Sequence, residues 1–235
     1  MTVLLLRLAG PLQSWGDASR FTRRQTRTEP TKSGVLGLLA AAQGRRRTDP
    51  VEDLARLAFG VRVDQPGRLV RDFQTARSLD GRQTMPLSYR FYLGDALFVA
   101  GIEGDGELLA GLDEAIRSPV FPLYLGRRGC PPAGPVSMGT RDVTLEEALR
   151  CEPWQASLWY RRTCSQVTAL DLVVDAGAVE ASDQDSREVL RDVPISYASE
   201  RREYGWRDVV RARPVEVSNR DGRPGMDFLA VLGGT

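Results

Sequence analysis

The chain has 235 residues, enough for one large domain or two small ones, and its 42% apolar content can bury a sizeable core. It holds no histidine, and its three cysteines, Cys130, Cys151 and Cys164, form no close pair. Those absences exclude zinc fingers, zinc hydrolases, Ser-His-Asp and Cys-His catalysis and a disulfide framework.

The net charge of +1 hides an asymmetry: residues 1–100 carry 16 Lys/Arg against 9 Asp/Glu, residues 101–235 carry 16 against 22. Lys32 is the only lysine; every other cation is an arginine. Between residues 20 and 47 lie Arg20, Arg23, Arg24, Arg27, Lys32, Arg45, Arg46 and Arg47, with Glu29 as the one acid. A focused basic segment on a near-neutral chain points to a polyanion site, and the competing expectation is a solvated arginine-rich surface. No apolar run approaches the ~20 residues of a membrane span, and the first ten residues read as a buried strand rather than a signal peptide. A cytoplasmic location is expected.

In chain order, residues 3–8, VLLLRL, predict a strand buried on both faces apart from Arg7. Residues 10–30 predict a long loop that interleaves Trp15 and Phe21 with arginines, the composition of a single-strand RNA surface, or of a loop anchored to the core by Trp15. A helix is expected from a Thr31 or Ser33 cap to about Gln43, with Gly44 as its stop. Asp49-Pro50 predicts a second short helix. Strand-like runs follow on either side of Gln65-Pro66-Gly67, and residues 76–86 read as a protruding hairpin or a flexible loop. The run LSYRFYLGDALFVAGIEG predicts a long strand broken near Gly94-Asp95. Residues 106–118 have helical spacing, and VFPLYLG, residues 120–126, reads as the next strand.

That order, β–α–(α)–β–β–α–β, is the ferredoxin-like split pattern of RRM-type RNA binders, so an α+β fold is expected. Residues 1–132 are assigned to this domain. Residues 133–235, with a helix after Thr144 and three further strand-like runs, are assigned to a smaller β-rich domain.

The stretch Pro30-Thr31-Lys32-Ser33-Gly34-Val35-Leu36-Gly37 looks like half of a phosphate-binding loop. It lacks the first glycine of a P-loop, since position 26 is Thr26, so nucleotide hydrolysis is not expected. The generic chemistry of a helix N-terminus is retained, with free amides at 33–35 available to phosphate; alternatively, Gly34 and Gly37 let the helix sit tightly on a sheet. Gly126, Arg127, Arg128 and Gly129 form a second glycine/arginine turn suited to phosphate, or an ordinary surface turn. Asp183 and Asp185 make only an unspecific metal site.

The stretches LRLAGPLQSWG (6–16), PTKSGVLGLLAAA (30–42), RDFQTA (71–76), YRFYLGDALFVA (89–100) and PLYLGRRGCPP (122–132) resemble the CasD family, the RAMP-type subunit of the type I-E CRISPR surveillance complex Cascade. The resemblance implies a non-catalytic subunit without cofactor or metal. It would bind the 5′ handle of mature CRISPR RNA, link the backbone subunits to the large subunit, and meet target DNA through the assembled complex. A thumb-like hairpin at about residues 76–88 would pack on the guide RNA and the neighbouring backbone subunit. The RNA-binding residues expected are Gln13, Ser14, Trp15, Arg20, Arg23, Arg24, Arg27, Lys32, Ser33, Gly34, Gln74, Arg77, Tyr89, Arg90, Gly126, Arg127, Arg128 and Gly129.

A related branch cuts precursor RNA with tyrosine, lysine and histidine side chains. Where relatives often carry a histidine, this chain reads Asp72-Phe73-Gln74-Thr75. A metal-independent endoribonuclease using tyrosine and Lys32 is the alternative expectation, and a purely structural connector is a third.

Overall fold

The computed structural model of the chain describes residues 1–16, 23–180 and 185–223. In order these form β1 (Thr2–Ala9), β2 (Leu12–Gln13), β3 (Arg23–Arg24), α1 (Lys32–Ala42), α2 (Glu52–Ala55), β4 (Ala58–Gln65), β5 (Arg68–Gln74) and β6 (Ser88–Gly94). There follow β7 (Leu97–Gly104), α3 (Gly106–Arg117), β8 (Ser137–Arg141), α4 (Leu145–Cys151), α5 (Leu158–Arg161), β9 (Val167–Asp175), β10 (Ser186–Ser196) and β11 (Glu203–Ser218). The fold is α+β.

Seven strands make one antiparallel sheet in the order β10-β11-β9-β4-β7-β1-β8. Its β4-β7-β1-β8 part, with α1 between β1 and β4 and α3 between β7 and β8, has the split β-α-β-β-α-β connectivity. The strand that completes this unit and the three that extend the sheet beyond β4 all come from residues after 132.

Strand β1 is apolar almost throughout because both faces of the sheet are covered. Leu4, Leu6 and Leu8 join Phe59, Phe98 and the buried sides of α1 and α3; Val3 and Leu5 join Val99, Leu145, Leu149 and Leu172 on the other face. Helix α3 presents Leu109, Leu112 and Ile116 to this core and is capped by Asp105, whose carboxylate accepts from the amides of Glu107 and Leu108 at 3.1 and 3.0 Å.

A second, smaller sheet forms on β6, which pairs with β5 along one edge and with β2 and β3 along the other. The expected long strand is indeed broken at Asp95, whose φ of 56° turns the chain from β6 into β7. The runs flanking Gln65-Pro66-Gly67 are both strands, yet β4 lies in the large sheet and β5 in the small one.

Two local expectations are corrected. Residues 120–126 are not a strand; the fourth strand of the unit is β8. Pro119 and Pro122 cannot donate to a ladder, and the amides of Val120 and Phe121 instead donate to the carbonyls of Ala42 and Ala41, at 2.9 and 3.2 Å, at the end of α1. The second helix starts at Glu52, not Pro50, and the Asp49 carboxylate accepts from the Arg46 amide at 2.7 Å. No helix among the described residues is long and apolar enough to cross a membrane.

A buried polar cluster ties β4 to the segment after α4. Arg62 and Asp64 are both 0% exposed and pair through two hydrogen bonds, Nε to Oδ1 at 2.7 Å and Nη2 to Oδ2 at 3.0 Å. Arg62 also donates to the carbonyls of Leu149, Glu152 and Pro153. Asp64 accepts from the Gln155 amide at 2.6 Å, and its carbonyl accepts from Trp154 Nε1 at 2.8 Å. Because every donor has a partner, the pair is tolerated; removing one member strands the other. Asp64→Ala is therefore expected to cost about 3–5 kcal/mol in urea unfolding. Arg201→Ala, which removes only an exposed ion pair with Glu203, is expected to leave the midpoint unchanged.

Candidate nucleic-acid interface

Helix α1 starts where Thr31 leaves extended backbone (φ −83°, ψ 147°) and its Oγ1 accepts from the Gly34 amide at 3.2 Å. The Val35 amide donates to the Thr31 carbonyl at 3.1 Å, and the Lys32 amide donates to Asp192 Oδ2 at 2.7 Å. The anion at this helix N-terminus is thus the chain's own Asp192. Lys32 Nζ donates to Asp175 Oδ2 at 3.0 Å. Arg207 closes the network, reaching Asp192 at 2.6 and 2.9 Å and Asp175 at 2.5 Å. Burial works against the charge on Arg207, and the two carboxylates, Asp192 first, outweigh it and raise its pKa. Lys32 and Ser33 are buried, and the amides of Gly34 and Val35 are engaged within the chain. The partners of Lys32 lie 143 and 160 residues away, so no local signal announced them.

Residues Gln13, Ser14 and Trp15 are also buried. Trp15 Nε1 donates to Gln13 Oε1 at 3.1 Å, while Gln13 Nε2 donates to the carbonyls of Leu8 and Ala96. Ser14 Oγ donates to the Phe91 carbonyl at 3.1 Å. A Cβ on Gly34 would come within 2.7 Å of the Trp15 ring, so this glycine serves close packing of the helix. Trp15 therefore forms the floor of the site and has no free face for a base.

The glycine/arginine turn folds against this floor. Gly126 has φ +84°, and a Cβ there would stand 1.8 Å from the Ser14 carbonyl oxygen. The Arg127 guanidinium stacks over Tyr92 at 4.8 Å and donates to the Arg24 carbonyl at 3.0 Å, joining this turn to the loop through residues 23–27. Its Nη1 is buried with no partner. Arg128 and Gly129 are exposed.

Above the floor opens a cleft of about 1260 Å³. Eight arginines line it, Arg24, Arg27, Arg45, Arg46, Arg47, Arg127, Arg191 and Arg202, against one carboxylate, Glu188. Phe121, Tyr124, Tyr197, Tyr204 and Trp206 interleave with them. Ser14, Trp15, Ser33, Gly34 and Gly126 contribute to the lining, so the cleft gathers much of the set expected from the sequence. Arg27 reaches Glu188 at 3.0 Å, and Arg45 holds Asp53 through two short hydrogen bonds that keep its carboxyl below the usual range. Arg46, Arg47 and Arg202 are exposed.

The remaining expected residues lie beside or beyond the cleft. Register pairs Arg23 with Tyr89 and Arg24 with Arg90, and Arg23 stacks over Phe91 at 5.5 Å. Gln74 and Arg77 lie further out on the hairpin, Gln74 Nε2 donating to Asp72 at 2.8 Å and Arg77 bridging Thr84. Arg20, Phe21 and Asp183 fall outside the described residues. Among the described residues no three His, Cys, Asp or Glu side chains gather as a metal site.

The far wall, Arg191, Arg202, Tyr204 and Trp206, was missed. The run Arg201-Arg202-Glu203-Tyr204-Gly205-Trp206 carries the same interleaving of arginine and aromatic residues that marked the loop at 10–30, and it was the available signal.

A family model described as CRISPR-associated protein (Cas_Cas5) matches residues 3–210. The CRISPR system Cascade subunit CasD of Escherichia coli (strain K12) is 36% identical in an alignment of length 159 that covers 58% of this chain and 70% of that protein. A solved structure described as a crystal structure of a Cas protein is 38% identical, with a TM-score of 0.69, over 95% of this chain and 98% of that one. A chain of a CRISPR RNA-guided surveillance complex is 31% identical, with a TM-score of 0.71, over 98% of this chain and 97% of that one.

Proposed function

The chain belongs to the CRISPR-associated Cas5 family, and on that premise we propose that it is a non-catalytic subunit of an RNA-guided surveillance complex that binds the 5′ handle of CRISPR RNA. The observation that carries the proposal is the cleft, where eight arginines face one carboxylate and aromatic rings stand between them. Arginines neutralise phosphates bidentately, and rings accept unpaired bases, so the lining suits a single strand better than a duplex. The phosphate ligands are side chains such as Arg24, Arg46 and Arg202, rather than Lys32 or the start of α1.

Binding without cleavage fits the same geometry. Cleavage without metal needs a group that moves protons near neutral pH. The chain has no histidine, and Lys32 is committed to Asp175. Burial drives the Tyr197 hydroxyl far above its ordinary pKa, and it is occupied by the Ser33 carbonyl. Burial raises Tyr204 as well.

The linking role rests on the β5–β6 hairpin. Leu69, Phe73, Leu79, Met85 and Leu87 are exposed on it, an apolar surface suited to a neighbouring backbone subunit.

Three measurements follow. Arg24→Ala, Arg46→Ala and Arg202→Ala are each expected to weaken single-stranded RNA binding and to reduce the slope of log K against log salt by about 0.7. Lys32→Met is expected to leave that slope intact while lowering Tm; unchanged slopes in all three arginine variants would remove the cleft from consideration. Labelled CRISPR repeat RNA incubated with the purified chain is expected to remain whole, and cleavage at a fixed position would establish the endoribonuclease instead. A Phe73→Ser, Leu79→Ser variant is expected to bind RNA normally but to lose co-purifying backbone subunits; full assembly would exclude the hairpin as the link.

A further inference from the structure

We propose that Trp206 and Arg191 form a base-stacking platform on the C-terminal wall of the cleft, which takes one unstacked base of a single-stranded RNA. The proposal rests on the cleft's being an RNA site and adds a specific contact to it.

The backbone explains why these two side chains meet. Pairing of β10 with β11 runs from Leu190 opposite Arg207 to Val193 opposite Gly205, so Arg191 and Asp192 together oppose the single residue Trp206. This is a β-bulge, a device that re-aims side chains. It sends the two neighbours on β10 to different tasks. Asp192 is buried against the amide of Lys32 and the guanidinium of Arg207, while Arg191 is exposed on the cleft. Arg191 Nε donates to the Tyr204 carbonyl at 3.1 Å, which holds its guanidinium over the indole of Trp206 with Cζ 5.7 Å from the ring centroid.

Trp206 is nonetheless 66% exposed. Folding leaves most of a large amphipathic ring in solvent, yet fixes its backbone on the next residue, Arg207, which is bound to both Asp175 and Asp192. An open indole on a fixed strand with a guanidinium beside it, inside an arginine-lined cleft, matches what a nucleobase requires: a π-face to stack on and a cation for the flanking phosphate. Stacking of this kind tolerates any base, so the platform contributes affinity and position rather than sequence choice.

The test uses the full chain and fluorescein-labelled oligouridine and oligoadenine RNA, read by anisotropy across a salt series. Trp206→Ala is expected to weaken binding roughly 5- to 150-fold, the range for loss of one base–aromatic stack, with the salt slope unchanged because no phosphate contact is removed. Trp206→Phe is expected to recover most of the affinity. In the unaltered chain, oligoadenine is expected to quench a fluorescence component that Trp206→Phe lacks, a readout that needs no alanine variant. Salt-dependent binding that is equal in the unaltered chain and Trp206→Ala would overturn the platform and leave the cleft standing. Absence of salt-dependent RNA binding by the unaltered chain would remove the cleft and the platform together. Unchanged RNA affinity with loss of co-purifying subunits in Trp206→Ala would assign the indole to a protein interface and overturn the proposal.

Discussion

Two carboxylates, Asp175 and Asp192, are shared between Lys32 and Arg207, and the site takes its shape from that sharing. The network joins the start of α1 to strands β9, β10 and β11, which extend the sheet from its β4 edge. Two cations meet two anions, so the cluster is neutral and its buried charges are all paired. Such clusters add little net stability compared with an apolar replacement, because desolvation offsets most of the attraction. Their value here is positional: the geometry is satisfied only when α1 and the C-terminal strands sit in one relative placement. That placement brings the arginines after α1 and those of β10 and the β10–β11 connection into the lining of one cleft.

The floor of the cleft is held by a different kind of constraint. Trp15, Gly34 and Gly126 pack at distances that admit no extra methyl, Gln13 and Ser14 donate to neighbouring carbonyls, and Gln13 Oε1 accepts from the Trp15 indole. A floor built this way is stiff, and arginines mounted on it or tied to it, as Arg127 is tied to the Arg24 carbonyl, lose less freedom when an anion arrives.

Local chemistry was legible in the sequence where a local rule decides the outcome. Thr31, one of the two caps expected, starts α1, and Gly94-Asp95 breaks the strand, each as its residue type requires. The apolar content of VFPLYLG suggests a strand, but Pro122, with Pro119 just before the run, disfavours one and none forms there. For Lys32 the local signal and the observed partners diverge. Its neighbours in the chain suggest a phosphate ligand, while its partners come from strands more than 140 residues later. The C-terminal wall was hidden similarly: its arginines and aromatics acquire meaning only once β10 and β11 lie beside α1.

The arrangement of cations has a consequence for how the cleft responds to its surroundings. Its positive charge is carried by arginine alone, with the one lysine sequestered and histidine absent. Guanidinium groups stay protonated throughout the physiological range, and burial raises the pKa of the Tyr197 and Tyr204 hydroxyls on the walls. Among the described lining residues Glu188 is the one carboxylate, and no lysine is present for acetylation to act on. The positive charge of this lining is therefore set at folding, and ionic strength sets how far it reaches into solvent.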